Sequence, residues 1–245
     1  MKTALVTGGS KGIGLSLVEA LVAGGYQVVT CSRTKALWDK VTDENPALAD
    51  VDYYCTDISE PEQVNKLFSE IKTQYGSLDI LINNASPLLA SGGIFTDVNY
   101  EALKATLNND FLGHAHCLQA GLALMKTGGA IVNISSVNGL RPTPNAAMYS
   151  AAKHAMEGLT RSVALEAIER GIRVNAVAPG VTWTPRWEKK KVQNANICEE
   201  VEKIVPAGRF ARPEEITKAV MWLCSEDAEY IVGHTLVVDG GLSLR

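Results

Sequence analysis

The feature that most constrains this chain stands at its start: the apolar run Thr3 to Thr7 stops at Gly8-Gly9-Ser10-Lys11-Gly12-Ile13-Gly14, after which Leu15, Val18, Leu21 and Val22 recur at helical spacing. A strand that breaks into a glycine-rich turn and then a helix brings backbone N–H groups and a helix N-terminus to one point, an arrangement that suits a pyrophosphate. Side chains larger than glycine would block that approach. The spacing is G-x-x-x-G-x-G and differs from the G-x-G-x-x-G fingerprint. Gly8, Ser10, Lys11, Gly12, Ile13 and Gly14 are therefore expected to bind a cofactor.

Further strands are predicted at Gln27–Cys31, Val51–Cys55, Leu78–Ile82, Ala130–Ile134, Ile172–Ala176 and Thr235–Val238, separated by helical patterns that include a long helix from about Tyr100 to Lys126. This alternation predicts one α/β domain over residues 1–245, a doubly wound parallel sheet of about seven strands with helices on both faces. Ser59-Glu60-Pro61-Glu62 carries a capping-box pattern, and Arg212-Pro213-Glu214-Glu215 places proline near N1 of the last helix. Residues 183–205 lack clean periodicity and read as a mobile substrate flap.

The second strand ends in Ser32-Arg33-Thr34, where NAD-binding folds usually place a carboxylate for the ribose 2′-hydroxyl. A guanidinium there suits a 2′-phosphate, and Lys11 can add a second positive charge, so NADP(H) is favoured; the alternative is a solvent-exposed loop arginine. Asp57 and Ile58 follow the third strand, at the edge where such sheets bind ligands; Asp57 serves either the adenine or a turn. Asn83-Asn84-Ala85-Ser86 ends the fourth strand, its amides either tying neighbouring strands together or lining the cofactor site.

A net charge of −4 argues against a nucleic-acid or anionic-membrane partner, and Lys189-Lys190-Lys191 beside Glu188 reads as a solvated face. Five cysteines without a C-x-x-C pair fit reduced thiols. The early glycines leave no room for a signal-peptide core, so a cytoplasmic protein is expected. No His/Cys/Asp cluster has metal-ligand spacing, so no metal is expected, and His114, His116, His154 and His234 read as structural or exposed.

Tyr149 and Lys153 lie four residues apart on a predicted helix that reaches about Ile168, so they share one face and the ammonium favours the phenolate. Such a pair is ordinary alone, but the ordered set Thr7-Gly8-Gly9-Ser10-Lys11-Gly12-Ile13-Gly14, Asn83-Asn84-Ala85, Ser136, Tyr149-x-x-x-Lys153 and Pro179-Gly180 resembles the short-chain dehydrogenase/reductase family over nearly the whole chain. The resemblance implies a Rossmann fold and hydride transfer between NADP(H) and a carbonyl or secondary-alcohol substrate. Tyr149 would be the general acid/base, Ser136 a hydrogen-bond donor to the reacting oxygen, and Lys153 a ligand of the nicotinamide ribose. Pro179, Gly180 and Thr184, with Asn84 and Ala85, would complete the cofactor site, and a homotetramer or homodimer is implied.

The chain departs from the family pattern at two places. Ser86 replaces the glycine of NNAG, and counting back from Gly113 puts Asp110 at the asparagine of the catalytic tetrad, although a one-residue slip would restore the amide of Asn109. Asp110 is expected to occupy that position. Ser86, Asn138, Met148, Trp183 and Trp187 are expected around a small-molecule substrate, the aromatics belonging either to an apolar pocket or to the core. A 3-oxoacyl-carrier-protein reductase, for which Arg170 resembles a docking residue, and a non-catalytic NADP(H)-binding regulator are the alternatives.

Overall fold

The computed structural model describes residues 1–245. Its strands are β1 (Thr3–Thr7), β2 (Gln27–Ser32), β3 (Asp52–Cys55), β4 (Leu78–Asn83), β5 (Met125–Ile134), β6 (Arg173–Pro179) and β7 (Thr235–Val238). They form one parallel sheet in the order β3-β2-β1-β4-β5-β6-β7. The helices are α1 (Gly12–Ala23), α2 (Lys35–Glu44), α3 (Pro61–Tyr75), α4 (Tyr100–Leu107), α5 (Gly113–Leu124), α6 (Ala147–Ala167), α7 (Pro185–Gln193), α8 (Ile197–Ile204) and α9 (Pro213–Cys224).

The strands read as unbroken apolar runs because both faces are covered. Alternate residues go to opposite sides: Ala4, Val6, Ile80, Ile82 and Val132 pack with Leu17 and Leu21 of α1 and Val220 of α9. Leu5, Leu81 and Ile131 pack with Leu67, Phe68 and Ile71 of α3 and Leu118 of α5. Each such side chain contributes roughly 1.5–3 kcal/mol on burial. The chain winds outward from β1 through β2 to β3, then crosses to β4 on the other side of β1. This reversal opens a crevice at the carboxyl ends of β1 and β4.

Buried amides hold that edge together. Asn83 donates through Nδ2 to Asn133 Oδ1 at 2.9 Å, and Asn133 donates to Thr160 Oγ1 at 2.9 Å, linking β4, β5 and α6. Asn83 thus ties strands, whereas Asn84 turns toward the crevice.

Four elements differ from the sequence expectation. The predicted helix from Tyr100 to Lys126 is two helices joined by a wide π turn, Asn108–Leu112, with Asp110 buried in it, and β5 begins at Met125. Residues 183–205, expected to be a mobile substrate flap without clean periodicity, hold α7 and α8. Helix α7 has few apolar residues, but its Trp187, and Trp183 just before it, both pack at steep angles against Phe210, with centroids 5.1 and 5.2 Å away, and α8 buries Val201 in the same cluster. Ser59 does not cap α3: its hydroxyl donates instead to the Asp57 carboxylate at 2.8 Å, and Glu60 takes the N-cap position. A neighbouring carboxylate competes with the helix terminus for such a hydroxyl. At α9 the expected start forms, with Pro213 at the first turn and Glu215 Oε2 accepting the Arg212 N–H at 2.8 Å.

Candidate active site

The glycine turn owes its shape to close approaches. Gly8 has φ +76°, and a Cβ there would fall 2.8 Å from Ala85 Cα; a Cβ at Gly14 would fall 2.2 Å from the Gly8 carbonyl oxygen. The turn is fastened to the end of β4: Asn84 Nδ2 donates to the carbonyls of Thr7 and Gly8 at 3.0 and 3.2 Å, and the N–H groups of Asn84 and Ala85 donate to Thr7 Oγ1. Helix α1 starts without a side-chain cap and without an acidic residue in its first turn. Its N-terminal amides and dipole are left for an anion.

One cleft of about 520 Å³ runs from this turn to Tyr149, and every residue expected to bind the cofactor lines it. At its turn end stand Lys11, Arg33, Arg186 and Lys189. Burial lowers the Lys11 pKa, and the charges of Lys189, Arg186 and Arg33 lower it further, so the four cations crowd each other and favour a polyanion. Arg33 is half exposed and lies 3.9 Å from Asp57 Oδ2. Asp57 acts as a turn residue, accepting the N–H and hydroxyl of Ser59, while also lining the cleft. The glycine turn and the cations at this end suit an anionic dinucleotide such as NADP(H).

At the other end, Ser136, Tyr149 and Lys153 meet in the same cleft. Helix α6 buries Ser150, Lys153, Met156, Glu157, Thr160 and Ala164 along one stripe, so the four-residue spacing puts Tyr149 and Lys153 on the same side. Lys153 is 1% exposed, and its ammonium donates to the Ile134 carbonyl at 3.0 Å and lies 5.7 Å from the Tyr149 ring centroid. Ser136 Oγ accepts the Asn138 N–H at 3.1 Å, which leaves its own proton for a ligand. Ser150 Oγ donates to the Asn138 carbonyl at 2.7 Å and so locks the Ser136 turn to the helix of Tyr149.

Beneath the cleft, Asp110 is 2% exposed and accepts the Ser86 hydroxyl at 2.9 Å. Its side chain points inward, while Asn109 lines the cleft and donates to the Ala105 carbonyl. Burial holds the Asp110 carboxyl above the usual range, against the pull of Lys153, Ser86 and Arg186. His114 is fully buried with Nε2 2.6 Å from the Ala85 carbonyl; since a carbonyl only accepts, Nε2 carries the proton. Burial, then the Lys153 charge, pushes its pKa down to about 3, so the ring is neutral.

Ser86 and Trp187 line the cleft, whereas Asn138, Met148 and Trp183 do not. Trp183 turns to Phe210 and to a shallow groove beside Leu15, and the Asn138 backbone is taken up by Ser136 and Ser150. Arg186 and Lys189 were not expected from the sequence. The lysine run read as a solvated face, yet α7 aims Lys189 into the cleft and Arg186 donates to the Pro87 carbonyl across it at 2.5 Å. The cationic composition of 186–191 was the available signal. All five cysteines are free, no group of His, Cys, Asp or Glu is placed to hold a metal, and no helix is long and apolar enough to cross a membrane.

Comparison with known proteins agrees with this geometry. A family model described as enoyl-(acyl carrier protein) reductase matches residues 8–243. A 2,5-dichloro-2,5-cyclohexadiene-1,4-diol dehydrogenase of Sphingobium indicum is 34% identical over 99% of this chain and 97% of its own length. Carbonyl reductase family member 4 of Danio rerio is 35% identical over 99% of this chain and 98% of its own. Among solved structures, ElxO with NADP bound superposes with a TM-score of 0.94 at 32% identity, covering 100% of this chain and 99% of that one.

Proposed function

This chain belongs to the short-chain dehydrogenase/reductase family of oxidoreductases, and from that premise we propose that it transfers a hydride between NADP(H) and a small carbonyl or secondary-alcohol substrate, with Tyr149 as general acid/base. The observation that carries the reading is the meeting of Ser136, Tyr149 and buried Lys153 in the cleft that the glycine turn opens.

The cofactor supplies or accepts the hydride. In the reductive direction Tyr149 gives its phenolic proton to the substrate oxygen, and Ser136, whose lone pair already holds the Asn138 N–H, donates its hydroxyl to the same oxygen. Lys153 favours the phenolate that forms, and its seat on the Ile134 carbonyl keeps the ammonium in place. In oxidation the steps reverse and the phenolate takes the alcohol proton.

Preference for NADP(H) is supported by Arg33 and Lys11, by the lack of an acid at the end of β2, and by the likeness to an NADP-bound structure. Carrier-protein substrates receive less support. Arg170, the candidate docking residue, has its guanidinium engaged by the carbonyls of Leu122 and Met125. A homotetramer is part of the proposal, and apolar Leu112 and Leu165 stand exposed beside α5 and on α6, where subunits would meet; size-exclusion chromatography with light scattering tests it.

Following NADPH absorbance with a panel of cyclic and aromatic ketones, and NADP⁺ reduction with the matching alcohols, tests the reaction. Turnover that needs Tyr149 is expected. NADPH binding without turnover on any member would replace this reading with that of a cofactor-binding regulator.

A further inference from the structure

The two positions at which this chain departs from its family are in contact. Ser86, in place of the glycine after Asn83-Asn84-Ala85, and Asp110, in place of an asparagine, meet at 2.9 Å between Ser86 Oγ and Asp110 Oδ1. A carboxylate has no proton to give, so in this contact the serine hydroxyl is the donor. Ser86 itself is only partly buried and lines the cleft together with Ser136 and Tyr149, while Asp110 lies behind it, 2% exposed and off the cleft. The hydroxyl proton therefore points away from the substrate space, and what Ser86 shows to the cleft is an oxygen with free lone pairs.

We propose that Ser86, oriented by Asp110, is a dedicated hydrogen-bond acceptor that selects substrates carrying a hydroxyl group beside the reacting carbonyl, or equivalently a vicinal diol in the oxidative direction. Asp110 is the positioning residue, and Ser86 is the group that touches substrate. A site of fixed polarity rejects a ligand lacking the matching group more strongly than an apolar site rejects an extra one, because the polar atom that the ligand covers is left without a partner. The neighbours suit this role. His114 pins the Ala85 carbonyl on one side, and Arg186 takes the Pro87 carbonyl on the other, so the backbone either side of Ser86 is held. Neither contact involves the Ser86 oxygen, which is left to the ligand.

The inference rests on the hydride-transfer reading, and its test separates the two. NADPH-dependent reduction of 2-hydroxycyclohexanone, 2-methoxycyclohexanone and cyclohexanone is measured in the wild type, Ser86→Ala and Asp110→Asn, and compared as ratios of kcat/KM within each protein so that a general loss of activity cancels. The wild type is expected to prefer the hydroxy over the methoxy ketone by about tenfold or more, the factor that about 1.4 kcal/mol represents. Ser86→Ala should bring the ratio close to one. In Asp110→Asn the new amide can donate to Ser86 Oγ and release the hydroxyl proton toward the cleft, so the ratio should fall below that of the wild type and move toward the methoxy ketone. A purely structural role for Asp110 would lower all three rates together and leave the ratio unchanged. Should either variant fold poorly, binding of the three ketones to NADPH-loaded Tyr149→Phe protein, read by isothermal titration calorimetry, gives the same ranking without turnover. Equal ratios in all proteins, with all three ketones reduced, overturn the acceptor role and leave the hydride-transfer reading standing. No reduction of any ketone by the wild type overturns that reading and the selection together.

Discussion

Lys153 donates its ammonium to the Ile134 carbonyl at 3.0 Å, so the cation proposed to assist catalysis also satisfies the buried C-terminal end of β5, two residues before Ser136. Activity and stability are therefore joined at this side chain. Lys153→Met should lower kcat by about 100-fold or more. It should also destabilise the fold by roughly 1–3 kcal/mol, because the Ile134 carbonyl loses its donor. Parallel kinetics and urea denaturation check both halves; a catalytic loss with unchanged stability would separate them.

Tyr149 shows the opposite partition. It is partly exposed in the cleft and its hydroxyl holds no other group of the protein. Tyr149→Phe should cost roughly 100- to 10,000-fold in kcat while the melting temperature and the affinity for NADPH stay near wild type. Calorimetry and NADPH fluorescence titration measure these.

Cofactor choice depends on a cluster that repels itself. With Lys11, Arg33, Arg186 and Lys189 around one end of the cleft, removing one cation weakens the hold on a 2′-phosphate and eases the crowding of the rest. Arg33→Ala should reduce the preference for NADPH over NADH by about tenfold, read as the ratio of kcat/KM values. An unchanged ratio would leave Arg33 as a loop residue.

The buried carboxyl of Asp110 makes a pH-dependent contribution with a definite sign. Burial raises its pKa in the folded state, so the folded protein binds the proton more tightly, and stability falls as pH rises from the unfolded value through the folded one. Asp110→Asn removes this loss. The variant should be as stable as wild type in acid and more stable at neutral pH, while keeping measurable turnover. Melting temperatures across the acid-to-neutral range decide it.

Glu215 has the reverse sign. The Arg209 guanidinium fork, at 2.7 Å to each oxygen, and then the Arg212 N–H pull its carboxyl down to about 2. A lowered carboxyl adds stability that is complete above the unfolded value near about 4.3 and is lost as pH falls toward about 2. Glu215→Gln should flatten the acid limb of the stability curve by lowering stability at neutral pH, while the variant and the wild type converge as pH falls toward about 2.

What could be read in the sequence was whatever depends on short-range pattern. The strands follow from apolar runs, the glycine turn from its spacing, and the pairing of Tyr149 with Lys153 from helical periodicity; the residues expected around a cofactor line one cleft. The wide turn at Asn108–Leu112 was not, because the residues around Asp110 have ordinary helical character and only the packing of Asp110 into the interior defines the break. Helix α7 was hidden by its polarity, since contacts to Phe210 replace a regular apolar stripe, and α8 by its shortness, although Ile197, Val201 and Ile204 fall at helical spacing. The directions of Trp183 and Met148 away from the cleft, and of Lys189 into it, depend on where α6 and α7 sit against the sheet, which no local pattern encodes.

The wide turn between α4 and α5 also sets a limit on how this chain can vary. Five residues, Asn108–Leu112, occupy a turn that a regular helix completes in about 3.6. The surplus residue rotates α5 relative to α4, which is how Asp110 reaches inward while Gly113, where a Cβ would meet the Ile58 carbonyl oxygen at 2.6 Å, still lies flush against the end of the β3 connection. Deleting one residue here would restore an unbroken helix and turn every downstream position by about 100°. Substitutions within the segment are a matter of side-chain chemistry, but its length is an indivisible unit, and shortening it would dismantle the floor of the cleft while leaving Ser136, Tyr149 and Lys153 unaltered in sequence.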